Sequence, residues 1–425
     1  MGKVAIDKER TGELIEQIRS IFEPIISALP AEVRGPVESV LMKPLFGLLQ
    51  EFVSEARPPV FLFLGRSGHG KSTLVNALVG RKVAKVNPVK PESPSAEPYL
   101  IDFPGKDAHW TAVDTRGIFE STKPEGAIEE DALEVLKKAI DDHKPDIFLH
   151  VIAATEVRNM KKDFEAVEEI RQLVRRRLGR EIPFLAIINK CDGLGDRPKD
   201  WPPEEFPAKS KLIFDVQKYL AQDILDSNEV KYLDSRYREK GFWLDGDHDY
   251  VAIVPTSCIE DAPWNLDTLS DVICNKLPNS ALLDFVQAQG RKDELLKMSR
   301  KITRRCAAIA GGIGAIPIPI PDIALLLPLQ TVMVALIGGL SCRQFSVNTA
   351  KEFLAAIGVN VGAGYALREA SRQLIKIMPA GFAVSAGVAA TGTLAIGKAA
   401  ESYFFKGKLV KPDMFYDEVA GTQDI

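Results

Sequence analysis

One octapeptide constrains the fold of this chain more than any other feature. It reads Gly65-Arg66-Ser67-Gly68-His69-Gly70-Lys71-Ser72, follows the apolar run 60–64 and continues into Thr73 and a helix-like segment. A glycine-rich loop between a strand and a helix lets backbone N–H groups surround a phosphate at the positive end of the helix dipole. The sequence therefore predicts a phosphate site over 65–73, with Lys71 at the β- and γ-phosphates and Ser72 on Mg²⁺.

A second motif indicates which base the bound nucleotide contains. The segment 184–188 reads as a buried strand and is followed by Asn189, Lys190 and Asp192 in an NKxD pattern. The Asp192 carboxylate can accept from both N1–H and the exocyclic amine of guanine. Adenine would leave that carboxylate unpaired, and such a site rejects the analogue by about 10⁴-fold or more. Asn189 is predicted to contact the base edge and to hold neighbouring loops, with the Lys190 stem along the ring plane.

Two further motifs follow the order typical of a guanine-nucleotide site. Asp114 and Gly117 form a DxxG pattern, which gives Asp114 a hold on Mg²⁺ and the Gly117 N–H a contact to the γ-phosphate. After the apolar run 251–255, Ser257 and Cys258 stand where a loop could offer the Cys258 N–H to guanine O6. The order of the motifs predicts GTP rather than ATP as the ligand.

The switch region departs from the usual pattern. Ile118 follows the DxxG glycine, so the glutamine that orients water in Ras-like enzymes is absent, and no threonine occurs between Thr73 and Thr111. Ser93 or Ser95 is the predicted replacement for the switch threonine, with Ser93 as a further Mg²⁺ ligand. The stretch that contains both serines is predicted to be irregular because it holds four prolines, namely Pro88, Pro91, Pro94 and Pro98.

Lys71, Ser93 and Arg116 are the predicted catalytic groups, and Arg66 is a second candidate for charge stabilisation. The alternative for both arginines is an exposed, solvated side chain, and His69 is predicted to point away from the phosphates. Hydrolysis without a group from a dimer or a partner is expected near the ~10⁻⁴ s⁻¹ of unassisted small GTPases.

Length and composition limit the other possibilities. A chain of 425 residues is too long for one core and predicts two domains. The formal net charge of −4 argues against a nucleic-acid-binding surface, so no nucleic-acid partner is expected. The five cysteines show neither CxxC nor paired spacing, which indicates reduced thiols, a cytoplasmic setting and no zinc site.

The pattern along the chain divides it into four parts. Amphipathic helices occupy 1–57, apolar strands alternate with polar helices over 58–279, a hydrophobic helical segment covers 280–405, and 406–425 is a tail. The predicted fold is a nucleotide-binding α/β domain with a mixed, mostly parallel sheet and helices on both faces. An all-α domain built from the N- and C-terminal segments accompanies it. The charged stretch 226–250 is predicted to be a solvated surface loop, with a docking element as the alternative.

The C-terminal part raises the question of a membrane. A basic cluster of Arg300, Lys301, Arg304 and Arg305 precedes residues 306–341, which carry one charge. An uncharged helix of about 20 residues spans the ~30 Å core of a bilayer, and basic residues before it suit the cytoplasmic face. Pro328 and Gln330 weaken the span at 306–342, and the one at 377–397 is only mildly apolar. A buried bundle that touches lipid reversibly through 306–405 is therefore favoured over constitutive two-pass insertion.

Two segments resemble known families. Residues 65–78 resemble the phosphate loop of Era-like and immunity-related GTPases, and 315–330, with IPIP, Asp322 and LLLPLQ in order, resembles the hydrophobic C-terminal domain of bacterial YcjF-like GTPases. The resemblance implies a dynamin-like organisation, in which helices from both sides of the G domain pack into one helical domain. It also implies GTP and GDP with Mg²⁺ as ligands, homodimers through the G domains, and action on membranes.

The function that this resemblance implies is hydrolysis of GTP to GDP and phosphate by a membrane-associated, nucleotide-dependent switch. Two alternatives stay open. One is a ribosome-assembly GTPase of Era type, although the sequence shows no RNA-binding module or basic face. The other is a nearly inactive GTP-dependent scaffold whose output is oligomerisation rather than turnover.

Overall fold

A computed structural model of the chain describes residues 8–54, 56–83, 95–103, 108–116, 130–195, 197, 200–227, 230–244, 250–316, 323–341, 347–357, 381–416 and 418. The chain divides into two compact units. The sheet unit consists of Pro58–Phe103 and Ala108–Phe285, and the helical unit takes its described residues from Met1–Arg57 and Val286–Ile425.

The sheet unit contains an eight-stranded sheet. In chain order the strands are β1 (Val60–Leu64), β2 (Ser95–Asp102), β3 (His109–Arg116), β4 (Ile147–Ala153), β5 (Phe184–Asn189), β6 (Val230–Tyr232), β7 (Phe242–Leu244) and β8 (Tyr250–Pro255). Their order across the sheet is β2-β3-β1-β4-β5-β8-β7-β6. The central strands β3, β1, β4, β5 and β8 run parallel, whereas β2, β7 and β6 pair antiparallel with their neighbours.

The α-helices within the described residues are, in chain order, α1 (Lys8–Ser27), α2 (Ala31–Val37), α3 (Lys43–Leu49), α4 (Lys71–Val79), α5 (Glu130–His143), α6 (Lys161–Leu178), α7 (Pro207–Tyr219), α8 (Leu266–Lys276), α9 (Asn279–Gln289), α10 (Lys292–Gly314), α11 (Ile323–Leu340), α12 (Val347–Ala356) and α13 (Gly381–Lys406). Helices α4 to α8 belong to the sheet unit, whereas α1 to α3 and α10 to α13 belong to the helical unit.

The order in which the chain adds strands to the sheet reverses between β1 and β4. From β1 the chain passes through α4 to β2 and β3 on one side, and from β4 it passes through α6 to β5 on the other side. Crossovers between parallel strands are right-handed, so helices of the two halves cover opposite faces of the sheet. The loops that follow β1 and β4 diverge at the carboxyl edge, and this is where a doubly wound sheet binds its ligand.

Apolar runs explain the burial of the central strands. β1, β4 and β5 read VFLFL, IFLHVIA and FLAIIN, and strands covered on both faces need such sequences. The rings of Phe148 and Phe184 stack with centroids 4.3 Å apart in this core. His150 is the polar member of β4, and its Nδ1 lies 2.7 Å from the Tyr250 hydroxyl. Burial lowers the pKa of His150 to about 3, so this imidazole is neutral.

The edge strand β2 corrects the prediction for the proline-rich stretch. Irregular structure is the wrong prediction for its last part, because 95–102 pairs along its length with β3. Pro98 lies opposite Val113 in that ladder. A proline is tolerated there because β2 is the outermost strand of the described sheet, so only one of its sides pairs with another of the described strands. The prolines at 88, 91 and 94 lie outside the described residues.

The stretch 226–250 also differs from its prediction as a solvated loop. β6 and β7 lie within it and extend the sheet beyond β8 by an antiparallel pair, with Tyr232 opposite Phe242 and their rings 5.4 Å apart. Each of these strands has three residues, which is too short for an alternating pattern to appear in the sequence.

The apolar faces of the predicted N-terminal amphipathic helices are buried in the helical unit. Ile18 and Phe22 of α1 and Leu45 of α3 are at most 1% exposed. Pro30, the residue before α2, lies in the short break between α1 and α2. Beyond it the helical backbone widens into π-helical turns at Glu38–Met42 and Gln50–Ser54.

The C-terminal helices of the helical unit pack closely. A Cβ on Gly397 of α13 would overlap Thr303 of α10, so glycine is what lets these two helices approach each other. In α11, Leu329 is fully buried, and Gln330 donates from Nε2 to Thr393 Oγ1 over 3.2 Å. Within the described part of the chain, no helix combines the length and apolar character needed to cross a bilayer.

The basic cluster before these apolar helices has partners inside the helical unit. Arg300 pairs with Glu401 at 3.2 Å, and Lys301 pairs with Glu51 at 2.7 Å. Glu51 also accepts from Arg305, and these contacts lower the pKa of Glu51 although its partial burial acts to raise it. Three of the four basic side chains that the sequence assigns to a membrane face thus form ion pairs within the protein. Residues 317–322 lie outside the described residues.

Candidate functional site

The glycine loop leaves β1 and enters α4 through left-handed backbone conformations. Gly65, Gly68 and Gly70 have φ angles of +132°, +78° and +93°, which residues with a Cβ rarely adopt. A Cβ on Gly65 would collide with the Val151 carbonyl oxygen, and one on Gly70 would collide with the Asn189 amide. Glycine at these positions therefore lets the loop lie directly against the ends of β4 and β5.

Lys71 begins α4 and turns its ammonium back over the loop. Its Nζ donates to the Gly65 carbonyl over 2.7 Å and to the Arg66 carbonyl over 3.2 Å, and it lies 3.9 Å from Asp114 Oδ1. The residue is 7% exposed. Neutral carbonyls bind an ammonium less strongly than anionic oxygens do, so Lys71 can exchange them for the oxygens of a phosphate.

Ser72 and Asp114 meet beside this ammonium. Ser72 Oγ donates to Asp114 Oδ2 over 3.2 Å, and Asp114 is 2% exposed near the end of β3. The neighbouring Thr115 donates to the Phe63 carbonyl over 2.6 Å, which ties the end of β3 to β1. A hydroxyl and a carboxylate are oxygen donors of the kind Mg²⁺ prefers, and this ion takes one or two protein carboxylates besides phosphates and water. The pair fits a Mg²⁺ ion that arrives with a polyphosphate.

The NKxD segment lies next to the loop at the end of β5. Asn189, 1% exposed, donates from Nδ2 to the His69 carbonyl over 3.1 Å and accepts at Oδ1 from Thr256 Oγ1 over 3.3 Å. Asp192 accepts at Oδ1 from Ser257 Oγ over 2.6 Å. Lys190 is exposed between them, with a left-handed φ of +61°. The structure therefore brings together the phosphate loop, the NKxD segment and the loop after β8.

The loop after β8 is fixed by backbone bonds on both sides. The Thr256 N–H donates to the Ile188 carbonyl over 2.7 Å, and the Cys191 N–H donates to the Thr256 carbonyl over 3.1 Å. Burial raises the pKa of the Cys258 thiol to about 12, and the nearby Asp192 adds to this effect. The thiol is therefore neutral.

Arg66 and His69 are tied to the segment that follows β4 rather than solvated. Arg66 donates from Nε and Nη2 to the two carboxylate oxygens of Asp163 over 2.9 and 2.6 Å. The His69 ring lies between the Val151 carbonyl and Glu156. Arg66 is therefore paired rather than freely solvated, and it would have to leave Asp163 to reach a phosphate. Its use for charge stabilisation stays a prediction.

The structure describes some of the remaining predicted site residues and not others. Ser67 and Gly68 are exposed on the loop, and Thr73 is half-buried in the first turn of α4. Arg116 ends β3 opposite Ser95, which begins β2. Ser93 and Gly117 lie outside the described residues, so their roles stay predictions.

Sequence reasoning missed Lys209, which belongs to α7. Lys209 is 3% exposed, and its Nζ donates to the Asp192 carbonyl over 2.8 Å and also to the Leu194 carbonyl. A buried lysine that bonds two carbonyls of one loop fixes the course of that loop. Its signal in the sequence is weak, because Lys209 stands in an ordinary helix near other lysines.

These groups line one edge of the sheet, at the ends of β1, β3, β5 and β8. One end of the arrangement offers an ammonium and loop N–H groups for a polyphosphate. The other end offers the Asp192 carboxylate to neighbouring N–H donors of a base. A ligand that satisfies both ends is a nucleotide whose base presents adjacent donors.

Comparisons with known proteins agree with this geometry. Residues 60–190 match the family model described as a 50S ribosome-binding GTPase. The chain is similar to translocase of chloroplast 34 from Pisum sativum, with 29% identity over 127 residues that cover 29% of this chain and 38% of that protein. It is similar to a probable GTP-binding protein EngB from Koribacter versatilis, with 32% identity over 142 residues that cover 32% of this chain and 64% of that protein.

A third relative is the GTPase Der from Synechococcus sp., which is 27% identical over 202 residues that cover 46% of this chain and 41% of that protein. The chain thus spans less than two thirds of the length of each of these relatives. The family match falls on the segment that carries the glycine loop, the DxxG motif and the start of NKxD. The sheet unit has the fold of a P-loop GTPase domain, with a mixed, mostly parallel sheet.

Proposed function

We propose that this chain binds GTP with Mg²⁺ and hydrolyses it to GDP and phosphate, acting as a nucleotide-dependent switch. One observation carries the proposal. The hydrogen bond from Asn189 to the His69 carbonyl holds the phosphate loop beside the NKxD segment, so a single nucleotide can reach Lys71 and Asp192 at once.

Each end of the nucleotide has its own set of groups. Lys71 and the loop N–H groups would bind the β- and γ-phosphates, and Ser72 with Asp114 would hold Mg²⁺, which supplies charge neutralisation at the phosphates. Asp192 would accept from the guanine N1–H and amine once Ser257 releases one of its oxygens. Ser93, Arg116 and Gly117 are proposed for the γ-phosphate side on their sequence positions alone.

A change of base preference tests this assignment. Xanthine carries a carbonyl where guanine has its exocyclic amine, so Asp192→Asn, which offers an amide N–H there, should favour XTP over GTP. We expect GTP affinity to fall at least about 100-fold, the usual scale for a lost base-reading group, while XTP binding is gained. Lys71→Ala should weaken both nucleotides alike. The proposal is contradicted if the wild type binds ATP more tightly than GTP. It is also contradicted if neither substitution changes nucleotide affinity.

Slow intrinsic turnover, dimerisation through the G domains and reversible membrane contact through 306–405 complete the proposal. The absence of a glutamine after Gly117 supports slow turnover, and the apolar sequence of α11 supports lipid contact. Phosphate release compared with sedimentation in GTP separates a slow enzyme from an inactive scaffold. Flotation of the whole chain with phosphatidylglycerol vesicles under GDP and under a GTP analogue tests the membrane step. Protein that stays in the soluble layer in both states contradicts it.

A role in ribosome assembly is the second candidate. The observation that favours it is the description of the matching family model as a 50S ribosome-binding GTPase. Co-sedimentation with purified 50S subunits in GTP, but not in GDP, would support this role over action at a membrane. A chain that pellets equally without subunits would contradict it.

A further inference from the structure

His69 of the phosphate loop is buried between two hydrogen-bond acceptors. The residue is 1% exposed, its Nδ1 lies 3.1 Å from the Val151 carbonyl oxygen, and its Nε2 lies 3.0 Å from Glu156 Oε2. Val151 belongs to β4, and Glu156 lies in the 3₁₀ turn Ala154–Asn159 that follows it. The side chain therefore joins the loop after β1 to the connection after β4.

The chemistry of the two partners decides the protonation state that this geometry needs. A carbonyl and a carboxylate can only accept hydrogen bonds. Neutral imidazole carries one N–H and can satisfy one of them, which leaves a ring lone pair facing the second acceptor, whereas imidazolium donates to both. The hydrogen bond to a carboxylate is also the stronger one when the donor is charged.

The charged groups of this region belong to two elements. Glu156 and Asp163 lie on the side of the β4–α6 connection, while Arg66 and Lys71 belong to the loop itself. Burial lowers the pKa of His150 in β4 to about 3, and the charges of His69, Lys71 and Arg66 act in the same direction, so this second imidazole is neutral. Burial raises the pKa of Asp163, and the charges of Arg66 and His69 oppose that rise.

The backbone of His69 connects this cluster to the base end of the site. Its carbonyl accepts from Asn189 Nδ2, and Asn189 in turn accepts from Thr256. A shift of the His69 peptide would therefore move the phosphate loop and release the NKxD segment together.

We propose that His69 is the positioning residue of the phosphate loop, and that its imidazolium, held between Val151 and Glu156, makes nucleotide affinity depend on pH. This inference rests on the proposed GTP binding. When the proton is present, the loop is held in the arrangement that bonds Asn189. When the proton is lost, one of the two contacts that hold the ring is lost with it. The positive charge also favours an anionic polyphosphate, so both effects strengthen binding at low pH, and by linkage GTP binding takes up a proton.

The test measures the equilibrium dissociation constant for Mg²⁺·GTP between about pH 5 and pH 8, the range in which histidine charge changes. The nucleotide titrates in this range too, so each variant is expressed as a ratio to the wild type at the same pH. His69→Gln removes the cation. Glu156→Gln keeps the shape and offers either a carbonyl or an amide N–H to the ring, so it can match both ring states. Glu165→Gln, at an exposed position of α6, makes the same charge change as the control.

We expect the wild type to bind GTP about tenfold more tightly than His69→Gln at the acid end, with the ratio shrinking towards one at the alkaline end. The GTP affinity of Glu156→Gln should depend less on pH than that of the wild type. Glu165→Gln should show the same pH dependence as the wild type. Calorimetry in two buffers of different ionisation enthalpy should show more proton uptake by the wild type than by His69→Gln. A Glu156→Gln profile parallel to the wild type overturns the inference, even if His69→Gln does not fold. A wild type that binds no GTP at any pH refutes the proposed function instead, and this inference with it.

Discussion

Replacement of Lys209 by methionine separates the stability of the sheet unit from the recognition of the base. Lys209 is 3% exposed, and its ammonium bonds the Asp192 and Leu194 carbonyls of the loop that presents the Asp192 carboxylate. Methionine has a similar length and fills the same space without a donor. The substitution therefore removes two of the bonds that fix this loop and leaves the packing around α7 nearly unchanged.

Opposing terms decide the size of the effect. Each hydrogen bond from a charged donor contributes about 1.5–3 kcal/mol, but a buried ammonium carries a desolvation cost of several kcal/mol that methionine does not. These terms largely cancel in folding, and we expect the free energy of unfolding to change by less than about 2 kcal/mol. Nothing offsets the effect on base recognition, because the position of the Asp192 carboxylate depends on these bonds directly. If one of its two bonds to guanine is lost, GTP affinity falls about 10- to 100-fold, because 1.4 kcal/mol corresponds to a factor of ten.

Competition binding against a fluorescent GDP measures this loss, and chemical denaturation measures stability. ITP lacks the exocyclic amine, so its affinity should fall less than that of GTP, and ATP should be nearly unaffected. Lys211→Met, two residues away at an exposed position of the same helix, is the matched control. Equal weakening of GTP, ITP and ATP by Lys209→Met, or unchanged GTP affinity, would refute the argument that Lys209 positions the base-reading loop.

Two further substitutions test the ion pair and the buried amide. Arg66→Met leaves the Asp163 carboxylate buried without its bidentate partner, and we expect it to cost about 2–3 kcal/mol at neutral pH, discounted because Arg66 is 34% exposed. Burial already raises the pKa of Asp163, so a protonated carboxyl stabilises the variant at low pH and this is lost as the pH rises; denaturation near pH 4 should show a smaller difference from the wild type than near pH 7. In the helical unit, Gln330 Oε1 is buried with no hydrogen-bond partner among the described residues, whereas Thr393 keeps a bond to the Ala389 carbonyl. Gln330→Leu should therefore raise stability by about 1 kcal/mol in thermal denaturation, and a clear loss would contradict this account.

The sequence predicts those parts of the site that lie within single segments. The glycine loop, the DxxG aspartate and NKxD each combine a strand end with a short run of functional residues. Their meeting at one sheet edge follows from parallel strands with right-handed crossovers. The burial of the N-terminal stripes follows from helical periodicity in the same way. In all these cases the period and the motif are local properties of the chain.

What the sequence does not predict is the pairing of distant side chains. Arg66 and Asp163 are 97 residues apart, and His69 and Glu156 are 87 apart. Neither Asp163 nor Glu156 belongs to a motif, and each looks like an ordinary acidic residue of a polar helix start. Pro98 in β2 shows the same limit for backbone structure. Its tolerance depends on β2 being an edge strand, which no local pattern reveals.

The arrangement of the base end implies how the chain would distinguish GDP from GTP. Asn189, Asp192 and Lys209 are held by hydrogen bonds within the protein, and GDP and GTP present the same guanine to them. A change there must weaken both nucleotides by the same factor, because a group that makes equal contacts in two states cannot shift the balance between them. Lys209→Met should therefore leave the ratio of the GDP and GTP dissociation constants unchanged while both constants rise. A variant that changed this ratio would show that the base-reading loop also responds to the γ-phosphate, and the two ends of the site could no longer be treated as separate.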